Sequence, residues 1–234
     1  MNELNKKIID FYLKSNQKKV NDFLPMFYDN PTNSYKVISV GLNPSLTEKF
    51  SNELESKKLT VEYFEKADEI EKVAKIENCI EYQSQLKYGV NQIPYFKLLK
   101  SFFKDIGYNQ FEKEVFHYDL YQKRETDSKI IKHDFEKDKA LLDELVNHLR
   151  FVINKIEPEI IIILNAYVAN LIKDKTDFLK EPKQLDAELG CYFHKGTPVI
   201  LANQLSGGAT SSVYRDILIW KIKRILIKIK TQIG

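Results

Sequence analysis

Cysteine is scarce in this chain: Cys79 and Cys191 are the only two in 234 residues. Two thiols so far apart cannot supply the three or four ligands of a structural zinc or iron–sulfur centre, and they do not resemble a disulfide framework. A reducing cytoplasm is the simplest expectation, and no cofactor is implied. Long apolar runs are lacking too. The longest aliphatic block, residues 160–164, falls far short of the roughly 18 to 20 residues that span a bilayer. Residues 1–19 mix Lys, Glu, Asp and Asn with apolar residues at helical spacing, without the apolar core of a signal peptide. The expectation is a soluble protein with no membrane partner. Charge of one sign is not in large excess either, since 36 Lys and Arg face 33 Asp and Glu, a net +3. A protein that holds nucleic acid by charge alone usually carries more. What is present is enough for a core: 43% hydrophobic residues at this length exclude a disordered or collagen-like chain. No repeat or low-complexity linker interrupts it, so residues 1–234 read as a single domain.

Apolar periodicity alternates between strand and helix. Residues 36–42 (KVISVGL), 115–121 (VFHYDLY) and 159–164 (EIIIIL) read as buried strands. Residues 190–194 and 197–203 flank Lys195-Gly196, and either pair as a hairpin or leave the second as a lone sheet strand. Helices are predicted near the N-terminus, over 93–106, 135–155, 166–173 and 211–230. Pro94 suits the start of the helix over 93–106 and Gly107 its end. Residues 54–80 read as a charged helical insertion, and residues 122–133 as a polar loop. The predicted fold class is α/β: a three-layer sandwich with a central, mostly parallel sheet of about four strands covered by helices on both faces.

In open parallel sheets, ligands bind beyond the carboxyl ends of the strands. Those ends carry Gly41-Leu42-Asn43-Pro44-Ser45, then 119–124 with Asp119, Lys123 and Arg124, then Asn165, then 203–209 with Gln204, Ser206, Gly207 and Gly208. Each has a plain structural reading beside a functional one. GLNPS serves as a strand-terminating turn or as a ligand-facing loop. Asp119 is a buried aspartate met by neighbouring amides, or a base reader. The glycine-rich turn before a helix is simply flexible, or it offers backbone N–H groups to a phosphate. Phe50, Tyr95 and Phe96 pack in the core or stack on a base.

The order and content of these segments resemble the uracil-DNA glycosylase superfamily. VGLNPS, residues 40–45, is similar to that family's water-activating loop in the form with Asn in place of a catalytic Asp, as in its mismatch-specific and single-strand-selective branches. EPEIIIILNAYVANLI resembles the family's segment of Pro, aliphatic strand and Ala, and residues 199–215 resemble the strand and loop before its final helix. The resemblance implies hydrolysis of the N-glycosidic bond of uracil or another damaged base in single- or double-stranded DNA, with the nucleotide extruded. It implies Asn43, Gln204 and Ser206 as catalytic residues. Gly41, Leu42, Pro44, Ser45, Phe50, Asp119 and Asn165 would contact substrate, and Lys123, Arg124, Gly207 and Gly208 would contact DNA. The pattern also departs from the family: Gln204-Leu205-Ser206 stands where His-Pro-Ser is usual, and Asp119 where an asparagine usually reads uracil. The two cysteines exclude the cluster-bearing branches.

Glycosidic cleavage leaves positive charge on the sugar and negative charge on the base, so it needs a placed water and donors at the base. Asn43 would hold the water without acting as a base, which implies a slow enzyme. Gln204 would donate as a neutral substitute for histidine, and Asp119, if ionised, would accept from an N–H or amino group. Two other readings remain open: a catalytically degenerate nucleic-acid or nucleotide-binding module of the same fold, and an unrelated α/β hydrolase of a small phosphorylated molecule.

Overall fold

A computed structural model of the chain describes residues 1–14, 22–43, 48–89, 92–125, 127–179, 186, 188–205 and 211–233. In chain order the elements are helix α1 (Glu3–Lys14), strand β1 (Val37–Gly41), and helices α2 (Glu48–Ser56), α3 (Val61–Glu65), α4 (Glu69–Tyr88), α5 (Pro94–Ile106) and α6 (Phe111–Glu114). There follow strand β2 (Val115–Asp119), helices α7 (Ser128–Lys137) and α8 (Lys139–Ile156), strand β3 (Ile160–Leu164), helix α9 (Ala166–Lys175), strands β4 (Tyr192–His194) and β5 (Thr197–Ala202), and helix α10 (Ser212–Ile233). They group into two compact units, one of residues 1–31, 43–89 and 119–152, the other of residues 32–42, 90–118 and 153–234.

The second unit is built on a sheet with strand order β2-β1-β3-β5-β4. Every residue of β1, β2 and β3 is buried. Because successive side chains point to opposite faces, both faces of these strands are covered, which apolar runs suit best; the buried polar residues among them, Ser39, His117 and Asp119, each have hydrogen-bond partners. β1 and β3 run parallel with Val37 opposite Ile160, and β3 and β5 run parallel with Ile161 opposite Val199. The sheet has five strands where about four were expected, because the hairpin alternative is the one realised. β4 pairs antiparallel with β5, and Lys195 and Gly196 close the turn at φ of 47° and 91°, the positive angles that a tight hairpin turn demands. The fold class is α/β, a mostly parallel sheet flanked by helices.

Three strands start level. Lys36 donates its N–H to the Glu114 carbonyl and accepts from Glu159 N–H, both at 2.8 Å, so the residues preceding β1, β2 and β3 stand side by side and their carboxyl ends share one edge. β2 stops at Asp119 rather than running to Tyr121, because the Gln122 amide takes the Asp119 and Leu120 carbonyls, at 2.5 and 3.2 Å. Helix α5 has Ile93 as its N-cap, Pro94 at its first position and Gly107 at φ 126° just past its end. α9 packs on β3 and β5, and α10 packs on α5.

The first unit is helical. Residues 48–88 form three helices where one charged helical stretch over 54–80 was expected. Lys58 turns the chain at φ 53°, and Asp68 starts α4 by accepting from Glu71 N–H at 2.9 Å. Asp127 likewise starts α7 inside the expected loop, accepting from Lys129 N–H at 2.8 Å. The helix expected over 135–155 is interrupted at Asp138, whose carboxylate accepts from Leu141 N–H at 3.0 Å and opens α8. Aspartate side chains compete for backbone N–H groups in this way, so they punctuate helices that a hydrophobic pattern reads as continuous.

His148 of α8 is buried, edge-on to Phe11 of α1 at 5.6 Å. Burial holds its imidazole below the ordinary pKa; Glu144, whose Oε1 lies 3.4 Å from Nε2, opposes this and Lys7 adds to it. The unfolded chain therefore binds the proton first, and stability falls as the pH drops below about 6.5. Urea melts between pH 7 and 5 should show this decline, and His148→Gln should flatten it; an unchanged pH slope in the variant would assign the decline to other groups.

Candidate functional site

Segment 119–124, following β2, is buried throughout although it contains an acid, an amide and two cations. Such groups leave water only where partners replace it. Arg124, 6% exposed, donates Nε to the Leu24 carbonyl at 3.0 Å and Nη2 to Gln83 Oε1 at 2.5 Å. Gln83, on α4, donates Nε2 to the Phe27 carbonyl at 2.8 Å and accepts from Phe27 N–H at 3.3 Å. Asn5, on α1, repeats the clasp one residue on, accepting from Tyr28 N–H at 2.9 Å and donating to the Tyr28 carbonyl at 2.8 Å. Met26 N–H donates to the Gln122 carbonyl at 2.9 Å. Residues 24–28 are in neither helix nor strand; Leu24 N–H donates to the Leu59 carbonyl at 3.0 Å, and the other backbone groups named here are met by side chains and by the loop after β2.

Asp119, 5% exposed, lies inside this frame. Its N–H donates to Tyr28 Oη at 3.0 Å, and the Lys87 ammonium sits over the Tyr28 ring, 5.3 Å from its centre. Burial lowers the Lys87 pKa, with Asp119 and Asp29 pulling it back up. Burial also lowers that of Arg124, opposed by Cys79, Tyr28 and Asp119. The Asp119 carboxylate is therefore within electrostatic reach of two buried cations. Cys79 itself is buried and its thiol is pushed up to about 11, which keeps it protonated and unreactive at neutral pH.

Asn43, half-buried two residues beyond β1, donates Nδ2 to the Glu125 carbonyl at 2.5 Å. The loop after β1 is thereby tied to the loop after β2, and Asn43 and Asp119 belong to the same unit.

The remaining candidates fall out differently. Gly41 closes β1 in the core, Leu42 is half-buried and Phe50 lies in α2. Pro44, Ser45, Ser206, Gly207 and Gly208 lie outside the described residues. Lys123 and Arg124, expected to face a DNA backbone, turn inward instead: Lys123 is 7% exposed with Nζ 4.0 Å from Asp22 Oδ2, and Arg124 holds the Leu24 carbonyl. Asn165, in the second unit, caps α9 by accepting from Tyr167 and Val168 N–H at 3.0 and 3.1 Å, so its carbonyl oxygen already has a structural task. Gln204, also in the second unit, is exposed two residues beyond β5. Tyr95 and Phe96 pack against His117, at 5.7 and 5.3 Å between ring centres, and His117 Nδ1 shares a hydrogen bond with Ser39 Oγ at 3.1 Å. An open groove along α4 is lined by Asp29, Glu77, Glu81, Ser84 and Tyr88 among others; its acidic wall repels phosphate. Among the described residues no group of three or more His, Cys, Asp or Glu is placed to hold a metal ion.

Gln83, Lys87, Tyr28 and Asn5 escaped the sequence reading. The signal for two of them was the spacing Ile76, Cys79, Gln83, Lys87, a single helical face that is buried along its length, although its polar half reads as solvated. No protein-family model and no curated protein sequence matches the chain, so its function has to be argued from these residues.

Arg124→Ala would leave the Leu24 carbonyl and the Gln83 amide buried without their donor. It should cost about 3 to 5 kcal/mol of unfolding free energy by urea denaturation, and Arg124→Lys should recover only part of it because one ammonium cannot span both acceptors. A loss under about 1 kcal/mol for Arg124→Ala would contradict this account.

Proposed function

We propose that the protein is a DNA glycosylase-like hydrolase that cleaves the N-glycosidic bond of uracil or another damaged base extruded from DNA. The observation that carries the reading is the tie between Asn43 Nδ2 and the Glu125 carbonyl, 2.5 Å, which orients the amide at the end of β1 beside the loop that follows Asp119. With Nδ2 so held, Oδ1 is the atom that positions a water for attack on the sugar C1′. The water oxygen forms the new bond to C1′, and the base departs with the old bonding pair and takes up a proton. An amide removes no proton from the water, so turnover rests on charge placement rather than on general base catalysis.

Asp119 sets the choice of base. A buried carboxylate accepts hydrogen bonds and opposes a carbonyl oxygen, so it favours a base edge that presents an N–H or amino group over the O4 of plain uracil. Gln204 stands where the resemblance has a histidine, and a neutral amide stabilises negative charge less than an imidazolium would.

Release of uracil, hypoxanthine and other damaged bases from single- and double-stranded oligonucleotides tests the proposal. Asn43→Ala should slow release about 10²-fold, and Asp119→Asn should change which base is preferred. Absence of any base release, with Asn43→Ala indistinguishable from the parent, would sink it. The exposed Gln204 supports a second reading, a binding module of this fold without turnover. That reading expects DNA binding that weakens with salt and no loss of base; no binding at low salt would remove it.

A further inference from the structure

α10 has two apolar faces. Leu218, Ile219, Ile222 and Ile225 are buried, as expected of a helix that covers a core. On the opposite side Val213, Ile217, Trp220 and Ile227 are 63%, 57%, 61% and 64% exposed. Isolated exposed apolar residues are ordinary, but these fall in a line. Their spacing runs four, three, then seven residues, and Arg224 fills the gap between Trp220 and Ile227. Arg224 lies over the Trp220 ring, 5.6 Å from its centre. Alternating steps of four and three residues define the seam by which one helix packs on another, with Val213, Trp220 and Ile227 at one class of seam position and Ile217 and Arg224 at the other.

Lysines follow both borders of the seam. Lys221 and Lys228 flank one side; Lys228 pairs with Glu188, and the Lys221 side chain runs beside Gly190. Lys223 and Lys230 flank the other side and are exposed. From Ile217 to Ile233 the helix contains no Asp or Glu. A second copy of this helix would set lysine rows against lysine rows, which repels at flanking positions. A nucleic acid would match the lysines and leave the aliphatic line uncovered. A narrow line, interrupted by an arginine, also differs from the broad apolar face with which a helix lies in a lipid surface.

We propose that this face of α10 docks an acidic amphipathic helix of another protein, with apolar residues on the partner's seam and Asp or Glu opposite Lys223 and Lys230. Arg224, polar within the seam, fixes the register of the pair, because only one alignment gives it an acidic or polar partner. The site uses none of the residues of the proposed glycosylase function and stands independently of it.

Trp220 is the only tryptophan in the chain, so fluorescence excited selectively at tryptophan reports this face alone. The probe is a synthetic three-heptad helix with leucine at its seam positions and glutamate at its flanking positions, titrated into the full chain. A saturable blue shift that weakens with salt is expected, together with no shift from the same peptide carrying lysine in place of glutamate. Lys223→Glu with Lys230→Glu should weaken binding at least about tenfold, and Ile217→Glu should abolish it without lowering the thermal midpoint, because the side chain is exposed. No shift with the acidic peptide, or equal shifts with both peptides, overturns the proposal. It is equally overturned by a shift produced only by duplex DNA, only by vesicles of phosphatidylglycerol and phosphatidylcholine, or by concentrating the protein alone; these would assign the face to a nucleic acid, a membrane or a second copy.

Discussion

A buried guanidinium at the end of β2 organises the first unit. Taking Arg124 out of water is costly, and the fold offsets that cost by giving it two acceptors at once, the Leu24 carbonyl and the Gln83 amide oxygen. Gln83 is in turn held to the Phe27 backbone, so one cation links the loop after β2, helix α4 and segment 24–28. Unpaired backbone in an interior costs about as much as a lost hydrogen bond, and an unpaired charge costs more; here each supplies what the other lacks. The result is a rigid surround for Asp119 and Tyr28, and rigidity around a polar side chain is what a recognition site requires.

The inward turn of Lys123 and Arg124 bears on how DNA would be held. Near-neutral total charge and buried cations beside Asp119 leave little in that segment to attract phosphates from a distance, so specificity would lie in a pocket that reads an extruded base. Exposed lysines on the outer border of α10, Lys223 and Lys230, flank apolar side chains instead. On the two proposals the features would meet different partners: one a nucleotide read by its edge, the other an acidic helix read by its seam.

Much of the sheet was legible in advance. β1 and β3 were visible as β-branched runs because strands covered on both faces admit almost nothing else, and α5 was bounded by Pro94 and Gly107 because those residues act locally. The helix breaks at Asp68 and Asp138 leave no trace in a hydrophobic period, since each rests on one carboxylate capturing one N–H, and the turn at Lys58 rests on a single positive φ. The candidate site was legible in part. Asn43 and Asp119 stood out as polar residues at strand ends, whereas Lys123 and Arg124 read as surface cations, because lysine and arginine are mostly exposed and nothing in their neighbours announces a buried acceptor.

The sequence by itself determined the fold class, the presence of β1, β2 and β3 at the core and the bounds of α5, because these depend on buried β-branched and aromatic runs and on the local chemistry of proline and glycine, whereas the end of β2 at Asp119 did not follow from them. Only the tertiary structure decided that Arg124 meets Leu24, 100 residues away along the chain, and Gln83, 41 residues away, that Asn43 is tied to Glu125, and that among the described residues one apolar face of α10 is exposed. The first two are pairings across long chain separations and the third is the face that such packing leaves exposed, so all follow from how the elements pack, not from the pattern within any one of them.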